Sequence, residues 1–440
     1  MLKKFIKLLV LLFSVSLLAG CNLHTIDELY CLPKRSEAYN NLQSQIDKAM
    51  AGFEYSAPLS GENRQRVQMV DLNGDGEVEY LLFAKGGADA PLRIFIFAGD
   101  GTDYVLLDTI TATGTAFEQV EYVQMDHKPG LEIVLGCQVS DQVIRNVSVY
   151  TMVDEQTEQM MSANYSKFVC YDLDKDNCGE LLILRPGANA GDNGIAELYG
   201  VENGTMERSA QVSMSEPSDA IKRIMVGKLS DGIRAVYVAS DVDGSAIITD
   251  IYAIVDDLFS NVSFSNESGT SVQTLRNYYV YADDIDEDGV LELPDLITMP
   301  HSGGVLNSEN QHLIRWYAMN SSGKEINKMY TYHNVVGGWY MRLNKKYAEQ
   351  ISVLQHGNSY EFHIWDPENL ENQRLMTVYV LTGQKREEQA QIDNRFVLYR
   401  TESTVYAANV DVLAASYGLS KEEVMNSFHL IQLDWNTGET

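Results

Sequence analysis

The chain has 440 residues, 45% of them hydrophobic, enough to bury a substantial core and to exclude wholesale disorder. Against 62 Asp and Glu stand only 33 Lys and Arg, a formal net charge of −29. A field of that sign repels nucleic acid and anionic lipid headgroups, so no nucleic-acid partner is expected, and it suits a protein that binds cations or works outside the cell.

Residues 1–20 read as a secretory signal, with Lys3, Lys4 and Lys7 ahead of an apolar run from Leu8 to Leu18 that is too short to span a bilayer. The run ends in Leu18, Ala19, Gly20 and Cys21, which resembles the bacterial lipobox. That resemblance implies cleavage before Cys21, a lipid on its thiol, and an extracytoplasmic protein anchored to the bacterial cell membrane. Four further cysteines, Cys31, Cys137, Cys170 and Cys178, show no C-x-x-C spacing, which argues against a structural zinc site. Cys170 and Cys178 flank one acidic loop and either bridge it or stay reduced on strands. Residues 36–51 carry Leu42, Ile46 and Met50 at helical spacing, so a tether and short amphipathic helix fill 21–60.

From there an acidic segment recurs about every fifty residues. Asp71, Asn73, Asp75, Gly76 and Glu79 are matched by Asp172, Asp174, Asp176, Asn177 and Glu180, and again by Asp284, Asp286, Asp288, Gly289 and Glu292. Eroded copies lie at Asp126–Glu132 and near Lys228–Gly232. In phase with the loops come alternating strands with aromatics, at Arg93–Phe97, Val147–Tyr150, Ala196–Tyr199, Asp250–Ile254 and Leu313–Tyr317. Each unit therefore reads as strand, acidic loop, strand, hairpin, the pattern of a propeller blade that must stack on its neighbours to bury its faces.

Within each loop, residues 1, 3 and 5 project oxygen donors to one side, and the acid at position 9 adds another. Position 6 must turn with positive φ, which Gly76, Gly289 and Asn177 tolerate. Oxygen donors alone favour calcium over zinc or copper. An EF-hand would need a carboxylate at position 12 and an exiting helix, whereas position 12 is Leu82, Ile183 or Asp295 and an apolar strand follows. The eroded loops lack the carboxylates and are expected to turn without metal, and the role of the ion is read as structural.

These segments resemble the FG-GAP or VCBS-type repeats of the integrin-α propeller and of bacterial surface proteins, whose hallmark is D-x-D-x-D-G-x-x-D between two blade strands. The likeness covers about residues 65–335 and departs from the pattern in lacking clear FG and GAP tripeptides. It implies a mainly β chain: a β-propeller of about five to seven blades over 61–337, with calcium at Asp71, Asn73, Asp75 and Glu79, at Asp172, Asp174, Asp176 and Glu180, and at Asp284, Asp286, Asp288 and Glu292. The whole chain is also similar to VCBS-repeat lipoproteins, a group that brings no established activity with it.

Past 338 the loop repeat stops. Strand patterns run at 338–343, 351–354, 360–365, 375–381, 396–399 and 404–407, and Ser420 with Glu423 forms a capping box opening a helix that carries Val424 and Phe428. Residues 338–440 thus read as a small C-terminal α+β module whose first strands are able to complete a last blade.

No H-E-x-x-H, G-x-S-x-G, Walker loop or dinucleotide motif is present. The pair His301 and His312, near Ser302–Gly304, marks a stretch read as a polar loop or a propeller mouth. No catalytic residue is assigned. The leading expectation is a lipid-anchored surface binding or scaffold module facing an envelope protein or glycan. The alternative is an envelope enzyme on polysaccharide or peptidoglycan, which requires acids outside the calcium loops to meet in one cleft. A transporter's capture subunit is disfavoured by the β-rich repeat.

Overall fold

The computed structural model describes residues 37–431 except 88–91, 100–102, 140–144, 190, 203, 278–279, 301–311 and 367–370. The signal segment, Cys21, Cys31 and the stretch holding His301 and Ser302–Gly304 lie outside the described residues.

Six antiparallel sheets follow one another along the chain. The second, third and fourth are four-stranded meanders: 116–123, 132–138, 145–153 and 156–165; 167–171, 180–185, 195–202 and 205–213; 221–228, 234–242, 246–255 and 258–261. The first is the same meander, 67–70, 79–85, 92–99 and 104–112, with Glu54–Tyr55 added beside its second strand. In each, the acidic segment joins the first strand to the second, as the repeat predicts.

Burial along the strands explains the sequence pattern. The second strands, such as Leu81–Ala84 and Leu181–Leu184, are buried on both faces because neighbouring sheets cover them, so they are continuously apolar. The outer strand Thr205–Ser213 has only Met206 buried, and reads as polar.

Consecutive sheets share cores. Phe83 and Ile94 of the first pack with Phe117 and Leu135 of the second; Val147 with Phe168 and Ile183; Leu184 with Val236 and Tyr252; Tyr237 with Leu293 and Tyr317; Trp339 with Phe362. Among the described residues no core cluster joins the sixth sheet to the first. Helix α1, Glu37–Ala49, instead lays Leu42 and Ile46 on Leu82, Phe95 and Phe97, covering the outer face of the first sheet. The outer face of the sixth holds Leu381, Val405 and Ala407 under Ala390, which ends the short helix α2, Arg386–Gln389. The fold is mainly β and built of six propeller-type blades, with helical caps at its ends as repeat architectures require.

Strand 339–343, which opens the C-terminal region, is the fourth strand of the fifth sheet, so that sheet runs across residue 338. The remaining strands, 351–356, 359–366, 371–382, 396–400 and 404–410, form the sixth. The Ser420–Glu423 capping box opens helix α3, Lys421–Ser427, with Val424 buried. Phe428 lies past the helix end, not on it. Asn426 and Ser427 end the turn, and Phe428–Leu430 returns as a fifth strand beside 339–343, stacking Phe428 on Trp339.

Candidate metal centre

The acidic loops line one edge of the stack and share a frame set by backbone geometry. Position 4 as well as position 6 is left-handed: Gly74 and Gly76, Lys175 and Asn177, Glu287 and Gly289. The position-1 aspartate holds this turn by accepting two backbone N–H groups. Asp71 takes Gly74 N at 2.7 Å and Gly76 N at 3.0 Å, Asp172 takes Lys175 N at 2.7 Å and Asn177 N at 3.1 Å, and Asp284 takes Asp288 N at 2.9 Å and Gly289 N at 2.7 Å. Asp at position 1 therefore serves the turn itself, before any ion is considered, and Gln124 serves it in the second loop by accepting His127 N at 2.9 Å.

The position-9 glutamate turns inward from the start of the second strand. One oxygen accepts the N–H of position 2: Glu79 from Leu72 at 2.7 Å, Glu180 from Leu173 at 2.7 Å, Glu292 from Ile285 at 3.2 Å. The same bond joins Glu132 to Met125 at 2.7 Å, which puts Gln124 at position 1 and His127 at position 4 of the eroded second loop. Burial pushes these carboxyls up. Glu180 rises to about 7, with Asp174 and Asp176 adding repulsion, and Glu292 rises to about 8, with Asp286 adding to it. An acid placed where it resists ionisation leaves an unmet demand for positive charge.

Each loop meets that demand differently. In the third sheet, one oxygen each from Asp172, Asp174 and Glu180 lie within 4.8 Å of one another. Arg234 pairs with Asp172 from the rim, at 30% side-chain exposure. In the fifth sheet Asp284, Asp286 and Glu292 converge in the same way, but Lys328 enters from strand 325–334. Its Nζ stands 2.5 Å from Asp288, 3.7 Å from Glu292 and 3.9 Å from Asp286. Asp286 Oδ1 and Glu292 Oε1 are buried there without a hydrogen-bond partner. In the first loop Asn73 Nδ2 donates to Asp75 at 3.0 Å and to Glu79 at 3.3 Å, and the carboxylates of Asp71, Asp75 and Glu79 are not gathered within the 4.8 Å that the other two loops achieve. In the second loop Lys128 Nζ binds Asp126 at 2.6 Å. In the fourth, Leu229 N donates to Ile233 O at 2.8 Å, the carbonyl standing where the glutamate would be.

Two of the position-5 acids meet side chains from other elements. Asp288 faces Lys328, which holds its carboxyl below the usual range, and Asp176 faces His127 at 3.1 Å. Lys328 and His127 lie 36 residues or more from the loops they serve, so no local motif announces them.

Neighbouring loops are tied by backbone bonds. Leu131 N donates to Leu72 O at 3.2 Å, Gly179 N to Gln124 O at 2.8 Å and Leu291 N to Lys228 O at 3.1 Å. A Cβ on Gly74 would stand 2.5 Å from Gly130 N, so this loop needs glycine both for its φ of 75° and for contact with the next blade. Cys137, Cys170 and Cys178 are free thiols. Beside the third loop lies a cavity of about 350 Å³ that Glu202 and Asp257, acids outside the loops, also line.

No family model matches the chain, and no curated protein matches it. Among solved structures, it is similar to an exotype rhamnogalacturonan lyase at 13% identity and a TM-score of 0.33, covering 73% of this chain and 65% of that one. A Bacillus licheniformis rhamnogalacturonan lyase matches at 12% identity and TM-score 0.30, over 73% of this chain and 72% of that one. A Lactobacillus plantarum protein matches at 10% and 0.26, over 72% and 86%. The chain thus spans just under two thirds of the first lyase's length. Likenesses this distant transfer no activity.

Proposed function

We propose that this chain is a calcium-binding surface scaffold of the bacterial envelope, exported by residues 1–20, anchored through a lipid on Cys21, and built of repeats of the VCBS or FG-GAP kind. Calcium sits in the acidic loops and stiffens the edge of the blade stack, which presents its surface to a protein or glycan of the envelope. The carrying observation is the convergence of Asp172, Asp174 and Glu180 within 4.8 Å, with the glutamate half-buried and resisting ionisation. Short oxygen donors held by the backbone fit a hard cation, and a divalent ion relieves the repulsion that burial magnifies.

The loops are graded by what already neutralises them. The third requires only that Arg234 share or release Asp172, the first requires the Asn73 amide to turn its oxygen inward, and the fifth requires Lys328 to withdraw from three carboxylates. Calorimetric titration of the chain from residue 22 is the test. Two equivalents of calcium binding ahead of a weaker third, together with a rise in melting temperature that Asp71→Ala, Asp172→Ala, Asp284→Ala abolishes, supports the reading. No heat of binding and an unchanged melting temperature would sink it.

A further inference from the structure

We infer that the second and third blades hold a separate site for a thiophilic divalent cation such as Zn²⁺, made of Cys178, His127 and Asp176. It does not rest on calcium in the loops, since neither Cys178 nor His127 is a calcium ligand in that reading.

Backbone geometry brings the donors together. His127 sits at position 4 of the second loop with φ 61°, left-handed like Gly74, Lys175 and Glu287 at the same position of the first, third and fifth loops. Cys178 follows Asn177, φ 73°, in the third loop, and its thiol turns toward the second blade. The Gly179 N–H to Gln124 carbonyl bond of 2.8 Å fastens the two loops beside the thiol, and a Cβ on Gly179 would meet Val123 Cγ1 at 2.5 Å. The juxtaposition is thus fixed by main chain on both sides.

His127 Nδ1 lies 3.1 Å from Cys178 Sγ, and its Nε2 lies 3.1 Å from Asp176 Oδ2. The other Asp176 oxygen accepts from Cys178 N at 2.7 Å, which orients the carboxylate. One ring nitrogen, the sulfur and one carboxylate oxygen fall within 4.8 Å of one another. Ligand bonds of about 2.0–2.3 Å in a tetrahedral zinc site place donors roughly 3.3–3.8 Å apart, so a small closure completes the site. The imidazole must give up its bridging position and offer one nitrogen, and at 64% side-chain exposure it has room to turn.

The donor set decides the metal. Sulfur and imidazole nitrogen are poor ligands for calcium and good ones for zinc, cobalt or nickel. Three protein ligands leave a fourth position, and the adjoining cavity of about 350 Å³, lined by Asp126, Glu202 and Asp257 among others, gives it access to water or a small ligand. Asp176 belongs to both this site and the calcium loop, so the two ions compete for one carboxylate or share it.

Cobalt is the probe, because a thiolate ligand adds a near-ultraviolet charge-transfer band to its visible spectrum. The full chain, reduced and free of calcium, is expected to take up one equivalent of Co²⁺ with that band and to release it to one equivalent of Zn²⁺. Cys178→Ser and His127→Ala, each checked for an unchanged melting temperature, are expected to lose the band. A cobalt spectrum without the thiolate band, or a band that survives in Cys178→Ser, would overturn the assignment. Because no calcium is present, this result is independent of the loop reading.

Discussion

The acidic loops of the third and fifth blades share a frame, a left-handed pair of residues and an inward-turned glutamate, half-buried in the one and buried in the other, yet they answer the same electrostatic problem in different ways. Loop 172–180 gathers Asp172, Asp174 and Glu180 with Arg234 only at its rim, whereas loop 284–292 has Lys328 reaching into its carboxylates. A lysine on a neighbouring strand is a tethered cation. It carries half the charge of calcium, and its three donors reach only part of the cluster, since Asp286 Oδ1 and Glu292 Oε1 stay without a hydrogen bond. Glu292 accordingly remains displaced to about 8 even with the ammonium 3.7 Å away. The second loop follows the same course with Lys128.

The difference breaks most sharply in the third blade. Asp172→Ala removes a proposed calcium donor and also the acceptor of two loop N–H groups, so on that reading calcium affinity at that loop is expected to fall on the order of 100-fold or more, with one equivalent lost from the titration. A titration curve superimposable on the unsubstituted protein would show that this loop is only a turn. Lys328→Met acts in the opposite sense. Without metal it leaves Asp286, Asp288 and Glu292 unrelieved, at a cost of about 1–3 kcal/mol in urea unfolding, and with calcium it is expected to strengthen the third equivalent and recover that loss. A variant that loses stability but gains no calcium response would refute the view that the lysine stands in for the ion.

Much of this is legible in the sequence because it is written locally. The Asp-x-Asp/Asn-x-Asp frame, the continuous apolar second strands and the aromatic third strands are set by turn chemistry and by the two-faced burial of a blade, so the repeat was visible in spacing alone. The helix at Leu42 and Ile46 was visible as a periodicity, but its place on Phe95 and Phe97 was not, since which face lacks a neighbour depends on the whole stack. Lys328, Arg234 and His127 were hidden for a related reason: each reaches its loop from another strand or blade, and a single basic residue in a strand carries no signature. The Gln124 frame of the second loop was obscured because Lys128 and Pro129 replace the expected residues, although Glu132 keeps its bond to Met125. Strand 339–343 reads like the strands after it, and only its pairing with 325–334 assigns it to the fifth sheet.

The broadest expected effect is in pH dependence, and it compares the two loops directly. Burial raises both Glu180, to about 7, and Glu292, to about 8, above the ordinary carboxylate value of 4.5. The folded, metal-free protein therefore holds protons that the unfolded chain has released, and the stability these groups contribute is fully present below about pH 4.5 and is lost as pH rises through 7 and then 8. If calcium takes the place of those protons, as proposed, the metal-free protein is expected to lose stability between pH 5 and 8 by more than the calcium-loaded one. Glu180→Gln should flatten the part of the profile centred near 7, and Glu292→Gln the part near 8. Melting temperatures across this range with chelator and with calcium give the answer. Parallel profiles in the two conditions would mean that the ion does not reach these glutamates, and a metal-free profile that rises with pH would mean that the lysine and the backbone donors already hold both as carboxylates.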